Sequence, residues 1–157
     1  MWRHVFLCAA VIFMAGCHTT LVGSVGPPWP NGLHAGQGDC LGAPTCAFSI
    51  GELIDQRGQP KFVYGGSRHE GGNPATARFT ITDVIRYPSL SAGQFWERAV
   101  CRSNSIEDQT LMAVVEQSSD VWLRAHQWAY RFNLQTGKFV KVDPLVVDCY
   151  NTALGAD

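Results

Sequence analysis

From Val121 to Asn133 the chain places Trp122, His126, Trp128, Tyr130 and Phe132 on one parity, the last three in strict alternation with Ala129, Arg131 and Asn133. A helix turns by about 100° per residue and would scatter those rings, whereas a strand sets every second side chain on one face. This stretch is therefore a strand. Gln135-Thr136-Gly137 supplies a hairpin loop behind it, and Lys138 to Val142 returns as the partner before Pro144 ends the run. The rings are expected to pack beneath two helices as the hydrophobic core. Trp128 and Tyr130 are also candidate binding residues, for a glycan strand or a partner loop, if the row stands exposed as a platform. His126, a lone imidazole beside the row, reads as hydrogen-bonded structure.

Other segments carry strand patterns too. Ala77 to Arg86 alternates Phe79, Ile81, Asp83 and Ile85 against Arg78, Thr80, Thr82 and Val84, and Lys61 to Tyr64 enters directly after Pro60. Thr110 to Glu116 is an apolar, β-branched run with both faces partly covered, and Leu145 to Tyr150 is a last short strand. Two stretches read as helices. In the first, Ser49 and Glu52 stand at capping-box spacing, Ile50, Leu53 and Ile54 share a helical face, and Gly58 with Pro60 supplies a stop. In the second, Ser89 to Val100, Ser91 is the cap, Phe95, Trp96 and Ala99 form the apolar face, and Gly93 costs about 1 kcal/mol against Ala.

The N-terminus has a different grammar. Arg3 precedes an apolar run from Val5 to Met14, too short to cross about 30 Å of hydrocarbon, that closes in Met14-Ala15-Gly16-Cys17. This resembles the lipobox of bacterial lipoprotein precursors. The resemblance implies a signal peptide over 1–16, acylation of Cys17 and a chain tethered to the membrane; three acyl chains at about 0.8 kcal/mol per buried CH₂ would make detachment negligible. In that family Asp after the cysteine favours inner-membrane retention. His18 stands there, which implies the outer membrane of a Gram-negative envelope, with the domain facing the periplasm. A second resemblance lies in Ser49-Ile50-Gly51-Glu52-Leu53-Ile54-Asp55-Gln56-Arg57-Gly58-Gln59-Pro60 followed by Lys61-Phe62-Val63-Tyr64. It is similar to the helix-Gly-x-Pro-strand element of SmpA/OmlA-type small outer-membrane lipoproteins, which implies a helix-on-antiparallel-sheet fold and a part in outer-membrane protein assembly.

With Cys8 in the signal and Cys17 acylated, Cys40, Cys46, Cys101 and Cys149 remain for an oxidising compartment. Three pairings are possible. Cys40 with Cys46 and Cys101 with Cys149 is preferred, because Gly42 and Pro44 make the first a natural tight loop. Chain entropy assigns about 2.4 kcal/mol to the short loop and about 4 kcal/mol to the long one. Paired C-x-x-C spacing is absent, so no metal and no cofactor is expected. Residues 17–46 hold Gly-Pro-Pro-Trp-Pro-Asn-Gly and Gly-Gln-Gly with few charges and no apolar period, a composition expected to form a tether ahead of a single domain over 47–157.

Gly65 to Pro74 reads as a loop, with Arg68, His69 and Glu70 as candidate binding residues at its tip. Without Arg3, the 12 Lys and Arg fall to 11 against 13 Asp and Glu, and no basic cluster could neutralise several phosphates, so nucleic acid is not an expected partner. No nucleophile elbow, phosphate loop or metalloprotease motif appears, and no catalytic residue is assigned. The expected fold is α+β, an antiparallel sheet of four to six strands with two helices packed on one face. The expected function is a non-catalytic cell-envelope lipoprotein that binds an envelope protein or serves envelope assembly. The competing expectation is an inhibitor or immunity lipoprotein that blocks an envelope hydrolase, with the loop at Arg68 to Glu70 as its plug.

Overall fold

A computed structural model describes residues 20–42, 45–69 and 77–155. The signal segment, Cys17 and Glu70 lie outside the described residues. Twelve strands order the described residues: β1 (Val25–Gly26), β2 (His34–Leu41), β3 (Phe48–Ile54), β4 (Pro60–Arg68), β5 (Phe79–Arg86), β6 (Gln94–Arg98), β7 (Cys101–Ser103), β8 (Ile106–Glu107), β9 (Leu111–Glu116), β10 (Trp122–Asn133), β11 (Lys138–Lys141) and β12 (Val147–Tyr150). They form two antiparallel sheets. One is five-stranded in the order β1-β5-β4-β3-β2; the other is seven-stranded, β6-β9-β10-β12-β7-β8 with β11 also on β10. Short 3₁₀ turns at Pro30–Gly32, Pro144–Val146 and Thr152–Gly155 are the only helical pieces among the described residues.

The fold is therefore all-β, and both expected helices are corrected to strands. Their apolar spacing has a different origin. In β3, Ile50 and Leu53 are both fully buried, on opposite faces of the sheet: Ile50 packs with Leu41, Val63 and Phe132, and Leu53 with Trp29, Tyr64 and Ile81. A strand covered on both sides shows apolar residues at i and i+3 without being a helix. Its stop signal is a hairpin, in which Asp55 accepts from the backbone N–H groups of Arg57 and Gln59, both at 2.9 Å, and Gly58 takes a left-handed φ of 75°. The helix behind the SmpA/OmlA resemblance is thus this β3–β4 hairpin. The second expected helix is β6 behind a turn, where Gln94 accepts through Oε1 from Ser91 N–H at 3.0 Å. Phe95 and Trp96 then face different cores, as adjacent strand residues must.

Much of the expected tether is also folded. Residues 25–41 contribute β1 and β2, and Trp29 is buried with its ring against the Gly26 backbone and 5.1 Å from the Tyr64 ring. Composition counts residues, but burial counts area. A buried Trp removes 150–250 Å² from water, which at about 25 cal/mol per Å² contributes at most about 4 to 6 kcal/mol toward ordering the Gly/Pro-rich segment.

Three apolar layers result. Trp29, Leu33, Leu53 and Ile81 fill the outer layer on the five-stranded sheet. Leu41, Ile50 and Val63 meet Trp96, Met112 and Phe132 between the sheets. Leu111, Ala113, Val115, Leu123, Val147 and the buried Cys101 and Cys149 fill the third, within the seven-stranded sheet. The expected hairpin is present, with β10 registered on β11 from Tyr130 opposite Lys141 to Asn133 opposite Lys138. Phe139 N–H donates to Asp83 on β5 at 2.8 Å, which fastens that hairpin to the other sheet.

Polar groups seal the seam between β2 and β6. Arg98 pairs with Asp39 at 2.6 Å and lies over the Trp96 ring at 4.8 Å, and Tyr87 meets that ring edge-on at 5.8 Å. Burial, then the charge of Glu52 and its hydrogen bond to the phenol, push Tyr87 up to about 12, with Arg98 opposing. A raised phenol favours the protonated fold, so this stabilisation is complete below pH 10 and is lost as pH rises from 10 to about 12. Phenolate absorbance should show a tyrosine that ionises near pH 12, and stability to urea should fall across that window. Tyr87→Phe should flatten the alkaline decline; an unchanged decline would rule out the seam as its cause.

Candidate functional site

Cross-strand register decides which side chains share the polar face of β7, β8, β10 and β12. Trp122 stands opposite Tyr150, Arg124 opposite Asp148, Asp148 opposite Arg102, and Arg102 opposite Glu107. On the reverse face of these strands Cys101 and Cys149, directly opposed and bridged, sit in the core with Leu123 and Val147. The cystine thus fixes the register of its polar neighbours.

Arg102 engages Asp148 with both ends of its fork, Nε to Oδ1 and Nη2 to Oδ2 at 3.1 Å, and its guanidinium lies 3.7 Å from the centroid of the Trp122 ring. The bond to Asp148 holds Arg102 above its ordinary value. Trp122 and Tyr150 meet at 76° with centroids 5.7 Å apart. Beside them opens a cleft of about 410 Å³, lined also by Ala99, Val100 and Cys101 and, on the far side of that segment from Tyr150, by Glu107, Asp108 and Gln109. Ala99 in that lining is in the left-handed region at φ 60°. Asp108 accepts from Arg131 Nε at 2.8 Å, from Thr110 N–H at 2.9 Å and from the Thr110 hydroxyl at 2.6 Å. Burial alone would raise its carboxyl, but the Thr110 and Arg131 bonds prevail and lower it.

No family model, curated protein or solved structure matches the chain.

The site must be read from its own chemistry. Asp108 in the lining is paired with Arg131, and Arg102 against the Trp122 ring is paired with Asp148, so this part of the cleft is pre-organised. Such a cleft suits recognition of a ligand by shape and hydrogen bonding. Among the described residues, no group of three or more His, Cys, Asp and Glu is placed to hold a metal ion.

The candidates from sequence fall elsewhere. Arg68, half-buried, donates to the carbonyl of Thr45, and His69 Nδ1 lies 3.4 Å from the Thr80 hydroxyl, so these two fasten the end of β4 to neighbouring backbone and strand. Trp128 and Tyr130 form a ring pair 4.8 Å apart and pack, half-buried, against the layer between the sheets, while Phe132 farther along is fully buried. The row grades from core to surface. His126 is exposed. Sequence reading missed Arg102, Glu107, Gln109, Trp122 and Tyr150 as a site, because they come from segments joined only in the fold. The available signal was the preferred Cys101 to Cys149 bridge, which sets Arg102, Asp148 and Tyr150 beside one another.

Exposed aliphatics flank the turn between β7 and β8. Asn104 and Ser105, with φ of 49° and 65°, turn β7 into β8, and Asn104 N–H donates to the carbonyl of Val146 at 2.9 Å. Ile106 after this turn is 73% exposed, and Leu145 beside Val146 is 91% exposed. Exposed branched aliphatics gathered on adjoining segments mark a contact surface.

Proposed function

We propose that this chain is a non-catalytic, lipid-anchored protein of the bacterial cell envelope, facing the periplasm from the outer membrane, that contacts another envelope protein through Ile106, Leu145 and Val146. The observation that carries the reading is that surface, large aliphatic side chains presented to solvent on a frame locked by the buried Cys101–Cys149 bridge. A rigid presenting surface lowers the ordering cost of association. The lipobox resemblance at Met14 to Cys17 supports the address, and two cystines fit an oxidising compartment.

The test uses cells that express the full chain. Cys17→Ala should incorporate no labelled palmitate. A photo-crosslinking residue at position 145 should give a discrete adduct in the envelope fraction, and one at Arg57, in the β3–β4 turn, should not. An adduct with resident assembly proteins in every growth state fits an assembly component, and a one-to-one adduct with a single hydrolase fits an inhibitor. Equal labelling from both positions, or equal palmitate in wild type and variant, would overturn the proposal.

A further inference from the structure

The cleft has its own chemistry, independent of the protein contact and of the anchor. We infer that it binds a neutral saccharide. Its two sides differ in character. One is the perpendicular pair Trp122 and Tyr150, with Tyr150 37% exposed; the other carries the exposed carboxylate of Glu107 and the exposed amide of Gln109. A sugar ring has the matching division, with C–H groups that shed water against an aromatic ring and hydroxyls that donate to a carboxylate and exchange bonds with an amide.

Charge selects among ligands that aromatic walls can take. A cation that sought the Trp122 face would find Arg102 already on that ring at 3.7 Å. An anion would meet Glu107 and the ionised Asp108. A polar ligand without charge escapes both penalties. Arg102 is in turn held by Asp148, and Asp108 by Thr110 and Arg131, so neither leaves its place to accommodate the ligand. At about 410 Å³ the cleft falls within the roughly 300–1,000 Å³ range of small-molecule sites, and its open side lets a longer glycan continue beyond it.

The experiment titrates the full chain, purified in detergent, with N-acetylglucosamine oligomers and malto-oligosaccharides by calorimetry and tryptophan fluorescence. Choline and oligogalacturonate serve as cationic and anionic probes. Saturable binding of a neutral oligosaccharide is expected, weakened at least tenfold by Trp122→Ala. Because Trp122 also packs against Tyr150 and Arg102, Glu107→Gln and Gln109→Ala, both at exposed positions, provide the second measurement; each should weaken binding severalfold with an unchanged melting midpoint. Absence of saturable binding by any neutral oligosaccharide, tighter binding of choline or oligogalacturonate, or binding indifferent to Glu107 and Gln109 would each overturn the assignment. Failure of the crosslink at position 145 would leave these titrations unaffected.

Discussion

Phe132→Ala should cost on the order of 3 to 5 kcal/mol, a large part of the 5 to 15 kcal/mol that typically holds a domain together. Phe132 is fully buried between the sheets, with Phe139 at 5.2 Å and Phe48 at 6.2 Å between ring centroids. Its ring lies so close to Gly65 on β4 that a Cβ there would come within 2.1 Å of it. The glycine lets the two sheets approach, and removing the ring leaves a cavity lined by both of them. Urea unfolding of the variant measures the loss. Tyr130→Ala, at a half-buried position in the same row, should cost clearly less; equal losses would contradict the gradation from core to surface along β10.

Loss of the Cys101–Cys149 bridge should cost about 4 kcal/mol, and loss of Cys40–Cys46 about 2.4 kcal/mol, since the loops they close differ in length, with separations of 48 and 6 residues. The long bridge also sets the register that gathers Arg102, Asp148 and Tyr150. Cys101→Ala with Cys149→Ala should therefore lower the melting midpoint strongly and loosen the cleft, whereas Cys40→Ala with Cys46→Ala should leave saccharide binding intact. Accessibility separates the bridges as well. Cys40 is exposed, but Cys101 and Cys149 are buried in the core. Alkylation under graded reductant should trap Cys40 and Cys46 first, and simultaneous release of all four thiols would contradict that order.

Legibility in the sequence followed the number of covered faces. The β10–β11 hairpin was readable because its aromatic parity and loop chemistry agree, and β9 was readable as a doubly covered strand. The same double covering disguised β3 and β6. Ile50 and Leu53 serve two cores from one strand, and i, i+3 spacing then imitates a helix. Trp29 was hidden for another reason: prolines and glycines around it suggest a spacer, yet one ring packed on Gly26 and near Tyr64 holds the segment down. The bridges could be anticipated from loop length, and with them the grouping of their neighbours. The cleft could not, because Glu107 and Gln109 reach Trp122 only through pairings between distant strands.

The two cystines close loops that neither overlap nor nest, since the first ends at Cys46 and the second begins at Cys101. For a polypeptide that emerges N-terminus first, as all ribosomal products do, this order has a biosynthetic consequence. Cys40 and Cys46 appear six residues apart and can be oxidised before Cys101 or Cys149 arrives. Cys101 then stays a lone thiol until Cys149 follows, and by that time each has one partner left. Among these four thiols, oxidation in order of appearance reaches the native pairing without an isomerase.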